Sequence, residues 1–359
     1  MLDQISPETL IRTMGEQARA ASAILTGHST AEKAAALRAA ATAIRRHAPD
    51  ILAANAKDLE AGQARGLTAA LLDRLALDEK RLEGVAAGVE AVAALPDPVG
   101  QVIDQSERPN GLKLSRVRVP LGVVGIIYES RPNVTADAAA LCLMSGNAAI
   151  LRGGSEAIHS NTALHAAMVE GVTQAGLPAD AIQLVPTTDR AAVGAMLAAH
   201  GLIDIIVPRG GKALVERVQN DARVPVLAHL DGICHTYVDK AADPEKALAL
   251  AVNAKMRRTG ICGATETLLI DTAFADPAPI LSALIAMGCE LRGDKAAQAI
   301  DARVEPASAE DWDTEYLDAI LTVGFVDGVA GAMAHIARHS SAHTDAIITE
   351  DADAAERFL

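Results

Sequence analysis

Cysteine is the residue type in this chain best suited to covalent chemistry, and one of the four cysteines has an unusual setting. Cys262 lies in "RRTGICGATET", residues 257–267, among glycines and small side chains. Bare backbone around a thiol indicates a position that a ligand can approach closely, whereas core cysteines normally sit among large apolar residues. Lys255, Arg257 and Arg258 lie just upstream, and nearby cations lower the pKa of a thiol. The position is compatible with a reactive thiolate, but on position alone a structural thiol remains the favoured reading.

The other three cysteines have settings typical of core residues. Cys142 lies within the apolar helical run "AAALCLMS", and Cys289 opens an apolar strand after a glycine turn. Cys234 precedes His235, but neighbours in a strand point to opposite faces, so we expect no pairing of that thiol with that imidazole. There is no C-x-x-C pair and no Cys/His cluster with zinc spacing. The sequence therefore predicts free thiols in a reducing compartment and no metal site.

Two glycine-rich loops are candidates for binding an anion. "RGGSEA" at 152–157 and "PRGGKA" at 208–213 each follow a predicted strand and precede a helix, whose N-terminal N–H groups attract negative charge. The sequence holds no G-x-G-x-x-G, the usual dinucleotide fingerprint. On the motifs alone, an ordinary strand-to-helix turn is therefore the favoured reading, and a phosphate site is the alternative.

The composition limits the class of protein. A length of 359 residues predicts two domains, and half of the residues are apolar although only 2% are aromatic, so we expect a large aliphatic core. The formal net charge of −14 disfavours nucleic acid and anionic membranes as partners. The charged N-terminal stretch lacks the apolar core of a signal peptide, and no run of about 18 apolar residues predicts a membrane span. We therefore expect a cytoplasmic protein.

The elements that must position these residues follow from periodicity. Residues 6–95 predict consecutive helices, and residues 101–120 predict a hairpin that turns at Asn110-Gly111. From residue 121 to the strand predicted at "PVLAHL", uniformly apolar strands alternate with amphipathic helices, which is typical of a doubly wound parallel sheet. A second α/β unit begins after "DGICHTYVD". Because no linker or repeat separates the two units, we expect interwoven domains.

Several stretches together resemble one known family. They are "GVVGIIYESRPNVTADAAALCLMSGNAAILRGGSEAIHSN", "DIIVPRGGKALV", "HLDGICHTYVD", "CGATETLLID", "DWDTEYLDAIL" and "AHTDAIITEDADAAERFL". In this order they resemble the γ-glutamyl phosphate reductases of the aldehyde dehydrogenase superfamily. The resemblance spans nearly the whole chain, and "YESRPNVTADA", "LRGGSEA" and "TEYLDAIL" are typical of that family rather than of the superfamily at large.

The resemblance implies a role for each matching residue. Cys262 matches the nucleophile, and the side-chain amide of Asn133, with the backbone N–H of Cys262, matches the oxyanion-hole donors. The positions that match cofactor contacts are Arg152, Gly153, Gly154, Ser155, Gly210, Gly211 and Glu315. The superfamily binds its cofactor without G-x-G-x-x-G, and this family uses NADPH/NADP⁺. The implied fold has a cofactor-binding domain of residues 1–100 and 121–233, a hairpin oligomerisation arm of residues 101–120, and a catalytic domain of residues 234–359.

The implied reaction is NADPH-dependent reduction of L-glutamyl 5-phosphate to L-glutamate 5-semialdehyde through a cysteine thioester, in proline biosynthesis. "HLDGICH" replaces the Glu-Leu-Gly-Gly-Lys pattern that supplies a water-activating base in aldehyde-oxidising relatives, and the reductive direction needs no such base. An aldehyde-oxidising NAD(P) dehydrogenase of the same fold and a non-catalytic form remain alternatives. The implied partners are a small-molecule substrate and, through residues 101–120, further copies of the chain.

Some positions depart from the family pattern. Arg257, Arg258, Thr259 and Gly263 stand where many members have Gln-Arg-Pro and a following Asn, which affects the placement of the cysteine loop. Arg131 and Arg258 are candidate anchors for the substrate phosphate or carboxylate, with a surface salt bridge as the alternative reading. Family members continue beyond "AERFL", so we expect a short form in which assembly through the hairpin depends on the missing segment.

Overall fold

The computed structural model describes residues 5–359, apart from the side chain of Ala70. The chain divides into two compact units, Met1–Ala228 and His229–Leu359, each of which has its own parallel sheet. Each sheet is built from one contiguous stretch of chain, where the sequence predicted interwoven domains with a boundary at 233/234. Within the described residues, no helix is both long enough and apolar enough to cross a membrane.

The first unit begins with the predicted series of helices. Ser6 accepts a hydrogen bond from the N–H of Thr9 and caps the first helix, and Ser29 forms a capping box with Glu32 at the second. Small side chains allow close packing, since Ala36, Leu37 and Ala40 are fully buried. The helices of this unit are α1 (Pro7–Leu25), α2 (Thr30–Arg46), α3 (Ala48–Ala64), α4 (Ala69–Leu75), α5 (Glu79–Ala93), α6 (Asn133–Met144), α7 (Ile158–Gln174), α8 (Ala191–Leu197) and α9 (Lys212–Asp221).

A two-stranded antiparallel hairpin follows α5, as predicted. It pairs β1 (Val102–Glu107) with β2 (Lys113–Val117), and Gly111 takes the left-handed conformation, with φ 81°, that the turn requires. Every residue of the two strands is exposed, including Val102 and Leu114. The hairpin therefore contributes no buried side chain to the core of its own unit.

The sheet of the first unit has four parallel strands in the order β5-β4-β3-β6. Its strands are β3 (Val123–Tyr128), β4 (Ala148–Arg152), β5 (Ile182–Leu184) and β6 (Ile205–Arg209). Strands β3 and β4 are buried on both faces and are packed by helices, which confirms the doubly wound prediction. Because parallel strands end at the same edge, the loops at 129–133, 152–157 and 209–212 lie at one end of this sheet.

The second unit has six parallel strands in the order β10-β9-β11-β8-β7-β12. Its elements are β7 (Cys234–Val238), α10 (Pro244–Met256), β8 (Thr265–Asp271), α11 (Ala278–Ala286), β9 (Glu290–Gly293), α12 (Lys295–Ile300), β10 (Glu305–Pro306), β11 (Ile320–Val326), α13 (Gly328–His339), β12 (Asp345–Ile348) and α14 (Ala352–Phe358). Strand β8 is buried along its whole length at the centre of the sheet.

Two predicted strands are not extended as expected. "PVLAHL" makes only an isolated bridge, between Val226 and Ile206, because the residues after it turn away into a loop. The sequence also predicts a strand over "EYLDAILTVGFVD", but the strand begins only at Ile320, after a loop in which Leu317 has a φ of 54°. A left-handed residue cannot continue a strand, and the apolar run alone did not predict it.

A group of histidine rings in the second unit couples its stability to pH. The centroid of the His335 ring lies 5.5 Å from the ring centroid of His235, 4.6 Å from that of His339 and 5.1 Å from that of Trp312. Burial, assisted by the charges of the neighbouring imidazoles, lowers the pKa of His335 to about 4. An imidazole in an unfolded chain has a pKa of about 6.5, so between these values the unfolded state binds more protons. Acid therefore favours unfolding in that range, and the stability is retained above it.

We predict that His335→Leu makes the second unit less sensitive to acid. Between pH 7 and pH 5, the parent should lose on the order of 1 kcal/mol more of its free energy of unfolding than the variant loses. Urea unfolding followed by the fluorescence of Trp312, the single tryptophan, measures this difference. His200→Gln, at an exposed position in the first unit, is the control, and equal pH dependence of the parent and His335→Leu would contradict the prediction.

Candidate active site

The loop that carries Cys262 joins α10 to β8 and is closed at its base by a buried ion pair. Lys255 lies in the last turn of α10, and Glu266 is the second residue of β8. Lys255 Nζ is 2.5 Å from Glu266 Oε2, and neither side chain has any exposed area. The sequence predicted that the ammonium of Lys255 acts on the thiol, but the charge is instead matched by Glu266. Arg257 and Arg258 are exposed within the loop.

The four cysteines, all of which the structure describes, differ in exposure as predicted. Cys262 is half-buried, whereas the other three are buried. Burial raises the pKa of Cys142 to about 12 and the pKa values of Cys234 and Cys289 to about 11. Because only a thiolate is a good nucleophile, these three thiols are inert at neutral pH, and Cys262 is the thiol that a reagent can reach.

Two histidines that the sequence did not single out lie beside Cys262. One ring nitrogen each of His229 and His343 and the sulfur of Cys262 all lie within 4.8 Å of one another. The two rings meet edge to face, with centroids 4.5 Å apart. These residues are far apart in sequence, so no local spacing predicts the cluster. The only signal was that "HLDG" and "AHTD" both belong to the stretches that carry the family resemblance.

Cys234 contacts two members of this cluster, Cys262 and His343. Its S–H donates to the carbonyl oxygen of Cys262 over 3.1 Å, and its sulfur lies 3.6 Å from Nδ1 of His343. The adjacent His235 points elsewhere, as alternation predicts, with its Nδ1 3.2 Å from Oδ1 of Asp345. The expected lack of pairing with His235 therefore holds, and the thiol of Cys234 instead contacts the imidazole of His343, which the sequence did not predict.

Gly232 brings the Cys262 backbone next to Glu315. A Cβ placed on Gly232 would overlap the carbonyl group of Cys262 and lie 2.8 Å from Oε1 of Glu315. Only glycine fits between these groups, and the close approach sets the Glu315 carboxylate beside the cysteine loop. This arrangement is compatible with the predicted role of Glu315 on the nicotinamide ribose.

Backbone strain is concentrated next to these residues. Leu317 and Ala342, with φ of 54° and 57°, are the non-glycine residues of the second unit that adopt the left-handed conformation within the described chain. The N–H of Leu317 is held by Oε1 of Glu266 and that of Ala342 by the hydroxyl of Ser340. Such conformations cost about 1–3 kcal/mol and persist where the surroundings enforce them. Glu315 and His343 therefore sit beside segments that are held in place.

In the first unit, the 152–157 loop is organised around Arg152. Its guanidinium is 8% exposed and donates to the carbonyls of Gly153 and Thr188, while its Nε is buried without a hydrogen-bond partner. The side chain thus holds the loop in shape, and its contact with a ribose stays a prediction. Gly153 is required by packing, because a Cβ there would overlap the amide of Asn161.

A cavity of about 360 Å³ opens beside this loop, and three arginines line it. Its walls include Arg65, Arg152 and Arg190, together with the exposed Ser155 and the backbone of Gly154. Glu156 closes one side, where its carboxylate accepts from the N–H of Ser130, a strained residue with φ 51°. Three arginines against the carboxylates of Glu129 and Glu156 leave the lining with a small excess of positive charge, which favours a phosphorylated ligand such as the adenosine end of a dinucleotide.

The second glycine loop leads into α9. Gly211 is exposed at the N-terminus of the helix, and no atom lies within 4 Å of the place where its Cβ would be, so the backbone is open there. Glu129 reaches into this loop, where its Oε2 accepts from the N–H of Gly211 at 3.1 Å and lies 2.5 Å from the Cβ position of Gly210. The loop therefore presents the backbone N–H of Gly211 to a carboxylate, which is the behaviour expected of an anion site.

Asn133 is the first residue of α6 and is half-buried. Its Nδ2 donates to Oδ2 of Asp137 at 2.7 Å, one turn further along the helix, and burial raises the pKa of Asp137. The contact fixes the orientation of the amide and leaves its second N–H available for the predicted oxyanion contact. Arg131 is exposed in the loop that precedes Asn133.

Comparison with known proteins gives consistent matches along the chain. The model of the aldehyde dehydrogenase family matches residues 6–301. The chain is 73% identical over 350 residues to γ-glutamyl phosphate reductase of Rhizorhabdus wittichii, covering 98% of this chain and 82% of that protein. It is 70% identical over 350 residues to the enzyme of the same name from Sphingopyxis alaskensis, with the same two coverages.

Solved structures agree with these matches. The crystal structure of γ-glutamyl phosphate reductase from Thermotoga maritima superposes with a TM-score of 0.91 at 39% identity, covering 97% of this chain and 84% of that chain. An acetylating aldehyde dehydrogenase from Geobacillus thermoglucosidasius superposes with a TM-score of 0.64 at 18% identity, covering 98% and 84%, which shows a shared fold. The predicted fold class, α/β of the aldehyde dehydrogenase type, is confirmed.

We predict that Gly232→Ala displaces the cysteine loop. The added Cβ would overlap the carbonyl of Cys262, and overpacking of this kind typically costs about 1–3 kcal/mol. The variant should show a melting temperature several degrees lower and a rate of Cys262 alkylation changed about 10-fold. Gly260→Ala, in the same loop, is the matched control, because its Cβ would meet only Leu317 O at an ordinary 3.6 Å. If both variants behave like the parent, the close approach at Gly232 is not a constraint on the site.

Proposed function

The chain belongs to the aldehyde dehydrogenase family and, within it, to the γ-glutamyl phosphate reductases, and from this membership we propose its reaction. It reduces L-glutamyl 5-phosphate to L-glutamate 5-semialdehyde with release of phosphate, through a thioester on Cys262, using NADPH. The observation that carries the proposal is the setting of Cys262, a half-buried thiol with two imidazoles within 4.8 Å and a glutamate carboxylate beside its loop.

The first half of the reaction is acyl transfer to sulfur. His229 or His343 accepts the thiol proton, and the Cys262 thiolate attacks the acyl carbon of the substrate. A carbon–sulfur bond forms and the carbon–oxygen bond to phosphate breaks, so the electron pair leaves with phosphate. In the proposed assembly of the site, the N–H of Cys262 and the Asn133 amide stabilise the oxyanion, and one such donor is typically worth about 10²–10³ in rate.

The second half of the reaction regenerates the thiol of Cys262. When bound, the nicotinamide cofactor supplies a hydride to the thioester carbonyl. The imidazole that took the thiol proton is placed to return it as the carbon–sulfur bond of the resulting thiohemiacetal breaks, which releases the aldehyde and the free thiol. Glu315 is proposed to hold the nicotinamide ribose hydroxyls, and its position beside Gly232 supports this role. Arg131 and Arg258 are proposed to bind the substrate phosphate or carboxylate, and both are exposed.

The preference for NADPH is proposed to come from the arginine-lined cavity. The loop residues Arg152, Gly153, Gly154 and Ser155 would position the adenosine ribose, and Gly210 and Gly211 would approach the pyrophosphate. Arg65 and Arg190 supply charge where a 2′-phosphate would lie, because a phosphate that carries two negative charges is bound best by arginine side chains. We propose that residues 1–100 and 121–233 bind the cofactor and that residues 234–359 carry the nucleophile, with Asn133 and His229 contributing to catalysis from outside that range.

The wider setting follows from the same reaction. We propose that the aldehyde product serves proline biosynthesis and that the protein acts in the cytoplasm. The hairpin β1–β2 is proposed to contact further copies of the chain. Its full exposure, which includes the apolar Val102, Ile103, Leu114 and Val117, supports a role outside its own unit, since a lone two-stranded ribbon is marginally stable.

We predict that Cys262→Ala lowers phosphate-releasing reduction of glutamyl phosphate about 10³-fold or more, because the acyl acceptor is lost. NADPH consumption with enzymatically generated substrate measures the rate. Cys142→Ala, which removes a buried thiol elsewhere, is the control and should retain activity.

The reverse assay separates the alternatives. Reduction of NADP⁺ by glutamate semialdehyde should require added phosphate. Turnover without phosphate would identify an aldehyde-oxidising dehydrogenase, and no turnover in either direction by a folded protein would identify a non-catalytic form.

We predict that Arg190→Ala raises KM for NADPH about 10-fold and leaves KM for NADH nearly unchanged. One charge-assisted hydrogen bond is worth about 1.5–3 kcal/mol, and each 1.4 kcal/mol is about tenfold in affinity. Arg12→Ala, at an exposed position of α1, controls for the general loss of positive charge. An equal rise for both cofactors would show that Arg190 does not read the 2′-phosphate.

A further inference from the structure

We propose that His229, Cys262 and His343 form a zinc site that reversibly blocks the nucleophile. This inference deepens the proposed function, because its inhibitory consequence rests on Cys262 being the acyl acceptor, although binding of the metal does not. A bound Zn²⁺ would take the sulfur of Cys262 and one ring nitrogen of each histidine, and a water would complete the coordination.

The donor set selects the metal. Two imidazole nitrogens and one thiolate are the ligands that zinc prefers, whereas Ca²⁺ and Mg²⁺ require oxygen donors. The three donor atoms come from the loop before β7, the loop before β8 and the loop before β12, which end side by side because β12, β7 and β8 are neighbours in the sheet. The topology therefore gathers ligands that no sequence spacing reveals.

The distances allow coordination with a small adjustment. Zinc binds sulfur at about 2.3 Å and nitrogen at about 2.0–2.1 Å, so tetrahedral ligand atoms are roughly 3.5 Å apart. The three atoms here are within 4.8 Å of one another without a metal. His229 is exposed and the other two residues are half-buried, so the ring of His229 is the ligand with the most room to change its rotamer as the site closes.

Neighbouring groups hold the two half-buried ligands, Cys262 and His343, in position. Nδ1 of His343 lies 2.9 Å from Oγ1 of Thr344 and 3.6 Å from the sulfur of Cys234. The Cys262 backbone is held by the hydrogen bond from the S–H of Cys234 to the Cys262 carbonyl and by the close approach of Gly232. Cys234 itself is buried and donates to a carbonyl, so we assign it to this support and not to the metal. Groups that orient the ligands typically change metal affinity 10- to 100-fold.

Coordination has a defined chemical balance. The zinc–sulfur bond forms as the S–H bond of Cys262 breaks, and the proton passes to the buffer without any transfer of electrons. The sulfur lone pair that would attack an acyl carbon is then held by the metal. Zinc should consequently inhibit turnover, and removal of zinc by a chelator should restore it without a reductant.

Binding is tested on the full chain with the metal alone. After treatment with a chelator, the protein is titrated with Zn²⁺ against a chromophoric competitor and with Co²⁺ as a spectroscopic substitute. We expect about one equivalent of tightly bound metal, and a sulfur-to-cobalt charge-transfer band with the intense visible bands of a tetrahedral site. His229→Gln and His343→Gln should each weaken binding about 10-fold or more, and Cys262→Ser should abolish the charge-transfer band.

His159→Gln, at an exposed position on α7, is the matched control and should bind like the parent. Because His229 is exposed, His229→Gln keeps the test decisive even if His343→Gln unfolds the protein. The absence of stoichiometric binding, or binding that is unchanged in both His229→Gln and Cys262→Ser, would overturn the proposal. Retained turnover in Cys262→Ser together with a lost cobalt–sulfur band would leave the metal site standing and reject the proposed catalytic role instead.

Discussion

The buried ion pair of Lys255 and Glu266 is the interaction on which the candidate site depends. It joins the end of α10 to the start of β8 and so closes the loop that carries Cys262. The second oxygen of Glu266 accepts from Leu317, which holds the strained segment after Glu315. A buried pair adds little net stability compared with a well-packed apolar pair, whereas the loss of one partner costs about 3–5 kcal/mol. Its contribution here is therefore to fix position, because one carboxylate holds both the Cys262 loop and the segment after Glu315.

Gly232 and the buried thiol of Cys234 act on the same loop. Once the loop is anchored at its base, Gly232 allows the neighbouring backbone to pass against Cys262, and Cys234 donates to the carbonyl of Cys262, so the backbone that carries this sulfur is held in place. Burial keeps the other thiols protonated, while the half-buried Cys262 stays accessible between two imidazoles. In the first unit the same principle recurs, because Arg152, Glu156 and Glu129 use their hydrogen bonds to shape the glycine loops.

Much of this could be predicted from the sequence, for reasons that are visible in particular residues. Uniformly apolar strands predicted the parallel sheets, Asn110-Gly111 predicted the hairpin, and bare backbone around Cys262 predicted its exposure. What could not be predicted depends on long-range pairing. Lys255 was expected to act on the thiol, but its partner Glu266 lies across the loop. His229 and His343 meet because β12 pairs with β7, a neighbour relation that no local pattern encodes. The left-handed Leu317, whose N–H donates to the distant carboxylate of Glu266, keeps the first residues of a predicted strand in a loop.

The central claim is that the accessible sulfur of Cys262 accepts the acyl group before any hydride is transferred. The most direct measurement is rapid mixing of the protein with glutamyl phosphate in the absence of a nicotinamide cofactor, with phosphate release and peptide masses followed together. The account predicts a burst of about one phosphate per chain and a glutamyl adduct on the peptide that contains Cys262. No burst, or an adduct on a peptide without Cys262, would contradict it.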